Sequence, residues 1–309
     1  MNRRRVIDLA FTALVCLCAL LTVGAVVSIF GFVAREAAPV FARDAPPLRA
    51  LVAPASNGAA SQRFVWQPVG RTPRYNLAPL AFGSAKVASL ALLLATPVGL
   101  LAGCALAFVV SSRSRRRLKP VVELLAGVPS VVLGYVALTV IADAVHALTG
   151  CRYRLNGAVA AVGVALAITP WVVTLVDEAL RSVPRDTLEG AYALGATRAQ
   201  VTLRVAIPAA RGPLLAAVVL AFGRAVGETM IVLMASGNAA VVELFDPTTS
   251  ARTVTATIAA ELGEVTQGDP HWRVLFLLGT MLFVVTFFLN RAGAAVIERL
   301  HRRLSGGAS

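Results

Sequence analysis

Residues 189 to 208 read Glu-Gly-Ala-Tyr-Ala-Leu-Gly-Ala-Thr-Arg-Ala-Gln-Val-Thr-Leu-Arg-Val-Ala-Ile-Pro, a polar insert between two apolar stretches of membrane length. Just upstream, Pro184 suits the first turn of a helix, where a missing N–H costs nothing, and Asp186 and Glu189 favour the positive end of the helix dipole. Leu188, Ala191 and Tyr192 then share one face at i, i+3 and i+4 spacing. Gly195 is placed to stop this helix in a left-handed conformation that other residues resist. Thr197 followed by Gln200 has the form of a capping box for a second helix, which Pro208 is expected to close. The segment therefore reads as a helix-Gly-helix elbow, shaped as a docking surface.

The surroundings of the elbow are those of an integral membrane protein. Hydrophobic residues make up 57% of the 309 and charged residues only 15%, with a mean hydropathy of +0.75, more apolar than a soluble domain of this length needs. A net charge of +13 raises the question of nucleic acid, but the Lys and Arg residues sit mostly at the edges of apolar spans with little aromatic interleaving. They are topology signals, and no nucleic-acid partner is expected.

A membrane helix needs roughly 20 apolar residues to cross about 30 Å of hydrocarbon. Six stretches qualify: Val6 to Val33, Leu80 to Val110, Val121 to Leu148, Gly157 to Leu180, Pro213 to Ser236 and Val274 to Ile297. The first follows Arg3 to Arg5 and stays apolar for longer than the core of a secretory signal, so it reads as an uncleaved anchor. The expected plan is all-α: tail and anchor over 1–34, an external loop over 35–79, and a transmembrane domain over 80–300 that contains the cytoplasmic segment 181–212.

Basic residues near membrane ends are retained on the cytoplasmic side. Arg3 to Arg5, the run Arg113 to Lys119, the cluster from Arg181 to Arg211 and the tail Arg291, Arg299, Arg302 and Arg303 all fall on one side of a six-span plan. Both termini are accordingly placed in the cytoplasm of a bacterium bounded by its inner membrane. The first external loop is also basic and runs against this rule, which long loops obey weakly. Its Pro and Ala content suggests an extended course.

The four cysteines are uninformative: Cys16, Cys18 and Cys104 lie in spans and Cys151 stands alone in a short loop, so neither a disulfide pair nor a metal-ligand spacing emerges. No metal and no catalytic residue is assigned.

The fifth span carries Gly223-Arg-Ala-Val-Gly-Glu-Thr-Met230. Counted from Arg211, Arg224 lies roughly 20 Å along the helix, near mid-membrane, where a charge costs at least about 2.5 to 3.5 kcal/mol on insertion scales. Arg224 and Glu228 are i, i+4 neighbours and are expected to pair. Two readings stand side by side. Either the pair only neutralises itself and holds neighbouring helices, or it lines a translocation path together with Thr229, Arg224 offering a planar donor fork to an oxyanion. Gly223 and Gly227, one turn apart, would let another helix or the substrate approach. In the third span Pro129 follows Gly127 and should interrupt the hydrogen-bond ladder, as a hinge or as a packing kink. Glu123 is expected to snorkel or pair with the basic run before it, Asp143 and His146 to be interfacial, and the acids Glu243, Asp246, Glu261, Glu264 and Asp269 to be solvated.

Glu189, Ala191, Gly195, Val205, Ile207 and Pro208 resemble the EAA motif of ABC importer permeases, with Gly190 and Ile207 as mild departures. That resemblance implies the type I importer fold and makes the elbow a coupling helix seated on a cytoplasmic ABC ATPase dimer. The chain itself has no P-loop: Lys86 and Lys119 neither follow Gly nor precede Ser or Thr. ATP would be used by the partner ATPase, with no cofactor in this chain.

The run Gly223 to Asn238, together with Glu123 to Tyr135 and Arg252 to Ala260, is similar to the phosphate-specific Pst-type permeases, and its Met230 to Asn238 continuation to their PstC-like member. The resemblance covers roughly Leu77 to Asn290. It implies a PstA-like permease as partner, an extracytoplasmic phosphate-binding protein, and alternating access in surrounding membrane lipid. An Arg in a pore does not itself choose phosphate over sulfate or molybdate. An ion-coupled secondary transporter would leave the elbow unexplained, and a membrane sensor or scaffold would bind the same partners without flux.

Overall fold

The computed structural model describes residues 3–41, 51–52, 64–69, 73–243 and 245–305. Much of the first external loop lies outside these residues.

The helices in chain order are α1 (Arg3–Ala37), α2 (Ala78–Cys104, continued by a π turn at Ala105–Val109), α3 (Ser112–Ala126), α4 (Ser130–Thr149), α5 (Gly157–Arg181), α6 (Arg185–Ala193), α7 (Arg198–Ala209), α8 (Arg211–Val226), α9 (Met230–Ala235), α10 (Val254–Glu261) and α11 (Pro270–Ser305). A two-strand antiparallel hairpin, β1 (Trp66–Gln67) and β2 (Arg74–Tyr75), lies between α1 and α2. Among the described residues, α1, α2, α4, α5 and α11 are long and apolar enough to cross a membrane, and a sixth crossing is formed if α7 and α8, bent by 73°, are one broken span.

α5 is the central rod. It is the most deeply buried of the spanning helices, and α2, α3, α8 and α9 all pack on it. Small residues permit this: a Cβ on Gly99 or Gly103 would fall 2.4 or 2.5 Å from the Val172 or Val176 side chain, so the α2 and α5 backbones meet at distances only glycine allows. The core is correspondingly rich in Ala and Val, with Ile168, Leu180 and Ile231 among its largest fully buried side chains. By contrast α1 is almost wholly exposed along its apolar length. It touches the bundle at α11, where Phe30 meets Phe283 with ring centroids 4.3 Å apart and Trp272 Nε1 donates to Glu36 at 2.9 Å.

Two span boundaries differ from the sequence reading. The third span starts at Ser130, nine residues later than Val121, because residues 112–126 form the separate amphipathic helix α3. Pro129 supplies no N–H and biases the preceding residue toward extended backbone. The chain therefore breaks at Gly127, whose N–H turns back to Leu124 O at 3.0 Å, and restarts behind Pro129. The fifth span does not run from Pro213 to Ser236: α8 stops at Val226 and α9 begins at Met230.

Candidate functional site

The break in the fifth span is built from polar groups satisfying their own backbone. Gly227 N–H bonds to Gly223 O at 3.2 Å, Thr229 Oγ1 donates to Gly227 O at 3.2 Å, and the Thr229 N–H donates to Glu228 Oε1 at 3.1 Å. Such local bonds offer the backbone an alternative to the helical ladder. From α10, Thr255 Oγ1 donates to Glu228 O at 2.8 Å and fixes the break to the following helix.

This geometry overturns the expected Arg224–Glu228 pair. Once the helix stops at Val226, the two residues no longer lie one above the other, and no ion pair joins them among the described residues. Glu228 is half-buried against its own backbone, whereas Arg224 is exposed, with its guanidinium carbon 5.7 Å from the Trp171 ring centroid of α5. An arginine held against an aromatic face keeps its donor edge free. In the last turn of α8, at the break in an apolar span, that edge has to meet water or another polypeptide. The two glycines are not demanded by a neighbouring helix of this chain. A Cβ at Gly223 would meet only Asn290 Oδ1, and one at Gly227 only backbone oxygens of its own helix, all at 3.6 Å.

At one end of the bundle the elbow forms as its residues require. α6 starts behind Pro184 with Asp186 in its first turn. Gly195 takes a φ of +81°, with its N–H on Tyr192 O at 2.9 Å and that of Ala196 on Ala191 O at 3.2 Å. The capping box is complete, since Gln200 N–H donates to Thr197 Oγ1 at 3.4 Å and Thr197 N–H to Gln200 Oε1 at 2.9 Å. Pro208 does not end the second helix: the turn over Val201–Ala206 widens to a π turn around the missing donor, and α7 continues to Ala209. Leu188 packs with Val183, Ala206 and Ala210, and Ala191 and Ile207 are half-buried. Glu189, Gly190 and Pro208 remain exposed, and Leu194 projects with 90% of its surface free. The elbow thus has an anchored base and an apolar tip, Leu194, that this chain leaves uncovered.

Some working side chains were missed in the sequence. Asp177, near the end of α5, is 1% exposed and gathers Arg115 at 2.5 Å and Lys119 at 3.5 Å from α3, with Arg181 at 3.4 Å. It ties α3 to the rod that leads into the elbow; the adjacent acids Asp177 and Glu178 near the end of an apolar span, in a chain with a basic run at 113–119, were its signal. Lys119 also reaches Glu123 at 3.9 Å and Glu178 at 3.6 Å. Removing one partner of a buried pair costs about 3 to 5 kcal/mol. Asp177→Ala is expected to lower the amount of folded chain in the membrane severalfold, measured by quantitative blotting, with Asp177→Glu intermediate.

At the opposite end Glu261 is not simply solvated. It accepts from Trp66 Nε1 at 3.1 Å, contacts His271 Nε2 at 2.9 Å and pairs with Arg252, so that one carboxylate joins the β-hairpin to α10 and α11. Burial raises its pKa, but the hydrogen bonds of His271 and Trp66 and the Arg252 charge outweigh burial and hold it below the ordinary glutamate value. A carboxyl whose folded pKa is depressed stabilises the fold above its unfolded value, about 4.3, and that contribution is lost as pH falls through the folded one. Hydrogen bonds to charged groups are worth about 1.5 to 3 kcal/mol. Glu261→Gln is therefore expected to lower the Tm of the detergent-solubilised protein at pH 7, with the gap to the unaltered protein closing as the pH is brought below the glutamate range.

Cys151 is a free cysteine, as expected, and it is buried: it accepts from Asn156 Nδ2 at 3.3 Å and approaches His146 Nδ1 at 3.7 Å, within the cap of α5. Asp143 pairs with Arg154 across the same connection.

Residues 95–305 match the family of binding-protein-dependent transport system inner membrane components. Among relatives, a probable ABC transporter permease protein YqgH of Bacillus subtilis is 33% identical over 235 residues, spanning 75% of this chain and 76% of that one. The phosphate transport system permease protein PstC of Mesorhizobium japonicum is 33% identical over 260 residues, 77% of each chain. In fold, the chain is similar to a subunit of the inward-facing MetNI methionine ABC transporter, with a TM-score of 0.53 at 16% identity over 72% of this chain and 93% of that one. It is also similar to a chain of a bacterial ABC transporter that imports alginate, with a TM-score of 0.52 at 17% identity over 72% and 78%. Apolar spans, a capped elbow with its tip free and a family match over most of the length agree: this chain belongs to the binding-protein-dependent transport system inner membrane components, among their PstC-like members, and is a multi-pass permease subunit of an ABC importer.

Proposed function

We propose that the imported substrate is inorganic phosphate and that Arg224 is its contact in the membrane. The observation that carries this reading is a guanidinium exposed at the break in the fifth span and steadied by Trp171 rather than neutralised by Glu228. A planar donor fork in a poorly hydrated path suits a tetrahedral oxyanion, and similar proteins at 30 to 33% identity are named for phosphate transport. The exposed side of α8 then faces a second, PstA-like permease, and substrate crosses between the two.

The elbow docks on an ATPase dimer that binds and hydrolyses ATP. Closure of the dimer pushes the tip at Leu194, and α5, joined to α3 through Asp177, carries the displacement into the membrane. An extracytoplasmic phosphate-binding protein delivers substrate at the far end, and both termini lie in the cytoplasm of a bacterial inner membrane. Supporting that orientation, Arg115, Lys119 and Arg181 gather at the elbow end of the bundle. Transport is coupled only if the two access states differ in affinity for the anion.

The test is radiolabelled phosphate uptake in cells lacking the chain and complemented with it, in the presence of excess sulfate or molybdate. Uptake that returns with the chain and ignores both competitors is expected. Competition by sulfate or molybdate, or uptake that does not depend on the chain, would overturn phosphate as the substrate.

A further inference from the structure

A cavity of about 650 Å³ opens at the end of the bundle opposite the elbow, between the α4–α5 and α9–α10 connections. Arg152, Tyr153 and Arg154 line one wall, and Gly237, Thr249 and Ser250 the other. The second wall is a closed loop. Its neck is held by Ala251 N–H and Ser250 Oγ, both donating to Ser236 O at 3.1 and 3.0 Å, while Ser250 Oγ accepts from Ala239 N–H at 2.9 Å.

Lys86 fixes the body of that loop. It rises from α2, is 2% exposed, and its ammonium donates to Glu243 O at 3.1 Å, Asp246 O at 2.9 Å, Thr249 O at 3.3 Å and Thr249 Oγ1 at 2.6 Å. A buried ammonium is costly unless its protons are satisfied, and this one is satisfied almost wholly by loop backbone. The loop is also pinned from α5, whose Gly157 and Ala158 N–H groups donate to Thr249 O at 2.9 Å and Pro247 O at 2.7 Å, while Asn156 Oδ1 takes the Val159 N–H at 3.1 Å. These bonds occupy the first donors of α5, so the helix terminus offers little to a ligand.

The guanidinium groups are differently placed. Arg154 uses Nε on Asp143 Oδ1 at 2.5 Å, and its terminal nitrogens have no acceptor among the described residues. Arg152 lies over the Tyr153 ring, 5.6 Å from its centroid, and forms no ion pair among the described residues. Two exposed guanidinium groups with donors to spare thus share one wall of a roomy cavity, an arrangement suited to multidentate contact with an oxyanion.

We propose that this cavity is an outer vestibule in which Arg152 and Arg154 receive the oxyanion before it reaches Arg224, and that Lys86 is the positioning residue that keeps the opposite wall in place. The inference rests on the reading of the chain as an oxyanion importer. Phosphate uptake in complemented cells tests it. The double substitution Arg152→Gln with Arg154→Gln is expected to raise the half-saturating concentration about tenfold and to leave the maximal rate within about twofold, the signature of lost binding rather than lost transport chemistry. Arg152→Lys with Arg154→Lys, which keeps the charge, is expected to recover most of that loss.

For Lys86, the native cysteines are replaced and Ala158→Cys is introduced beneath the loop. Labelling by a membrane-impermeant maleimide is expected to rise at least about fivefold with Lys86→Met, because the freed carbonyls take water and the loop lifts. Equal membrane abundance of each variant is checked by blotting. An unchanged half-saturating concentration in the double Gln variant overturns the vestibule, and unchanged labelling overturns the role of Lys86. If the chain proves to carry sulfate or molybdate, the phosphate reading falls, and the same kinetic comparison made with that anion decides the vestibule.

Discussion

Arg224→Gln is expected to abolish phosphate uptake while leaving the chain in the membrane and its ATPase docked. Gln keeps a hydrogen-bonding end group of moderate length but removes the charge and the bidentate fork. Each hydrogen bond to a charged group is worth about 1.5 to 3 kcal/mol, so the loss of two corresponds to a fall of at least about 100-fold. The fold should tolerate the change, because Arg224 is itself exposed and makes no ion pair among the described residues. Uptake and ATPase co-purification measured on the same membranes check both halves. Normal uptake in the variant would remove Arg224 from the pathway. Arg224→Lys separates charge from shape: retention of only a small part of the flux is expected if the planar fork does the binding.

The second large effect is expected at the opposite end of the mechanism. Gly195→Trp should cut co-purification of the ATPase subunit at least about tenfold, since a left-handed backbone costs an L residue about 1 to 2 kcal/mol and the new ring would also project outward. A Cβ at Gly195 meets nothing within 4 Å, so the bulk intrudes on whatever docks there rather than on this chain. Gly195→Asn, which tolerates positive φ, is the control and should dock nearly as well as the unaltered protein. Equal loss in both variants would assign the effect to folding of the elbow, and undiminished docking of the Trp variant would place the ATPase elsewhere.

The apolar spans and the elbow were legible in the sequence because their signals are local. Length and hydropathy define a crossing, and Pro184, Gly195 and the Thr197–Gln200 box act on backbone groups within one or two turns. Gly127 and Pro129 were legible as an interruption, though its effect, a separate amphipathic α3, was not read. Arg224 was singled out by its place in an apolar run, but its partner was misjudged: i, i+4 reasoning assumes an unbroken helix, and the bonds of Glu228 and Thr229 to their own backbone end it at Val226.

The all-α membrane plan, the elbow and the positions of the polar residues within the spans are therefore written into local sequence. Which distant charges meet depends on how the helices pack. Asp177 finds Arg115 across 62 residues and Lys86 finds the Glu243 carbonyl across 157, and neither spacing carries a periodic signal. A buried charge must be satisfied by whatever group packing brings within hydrogen-bond reach, and in a bundle of broken helices that group is fixed by how the rods cross rather than by how the chain is ordered.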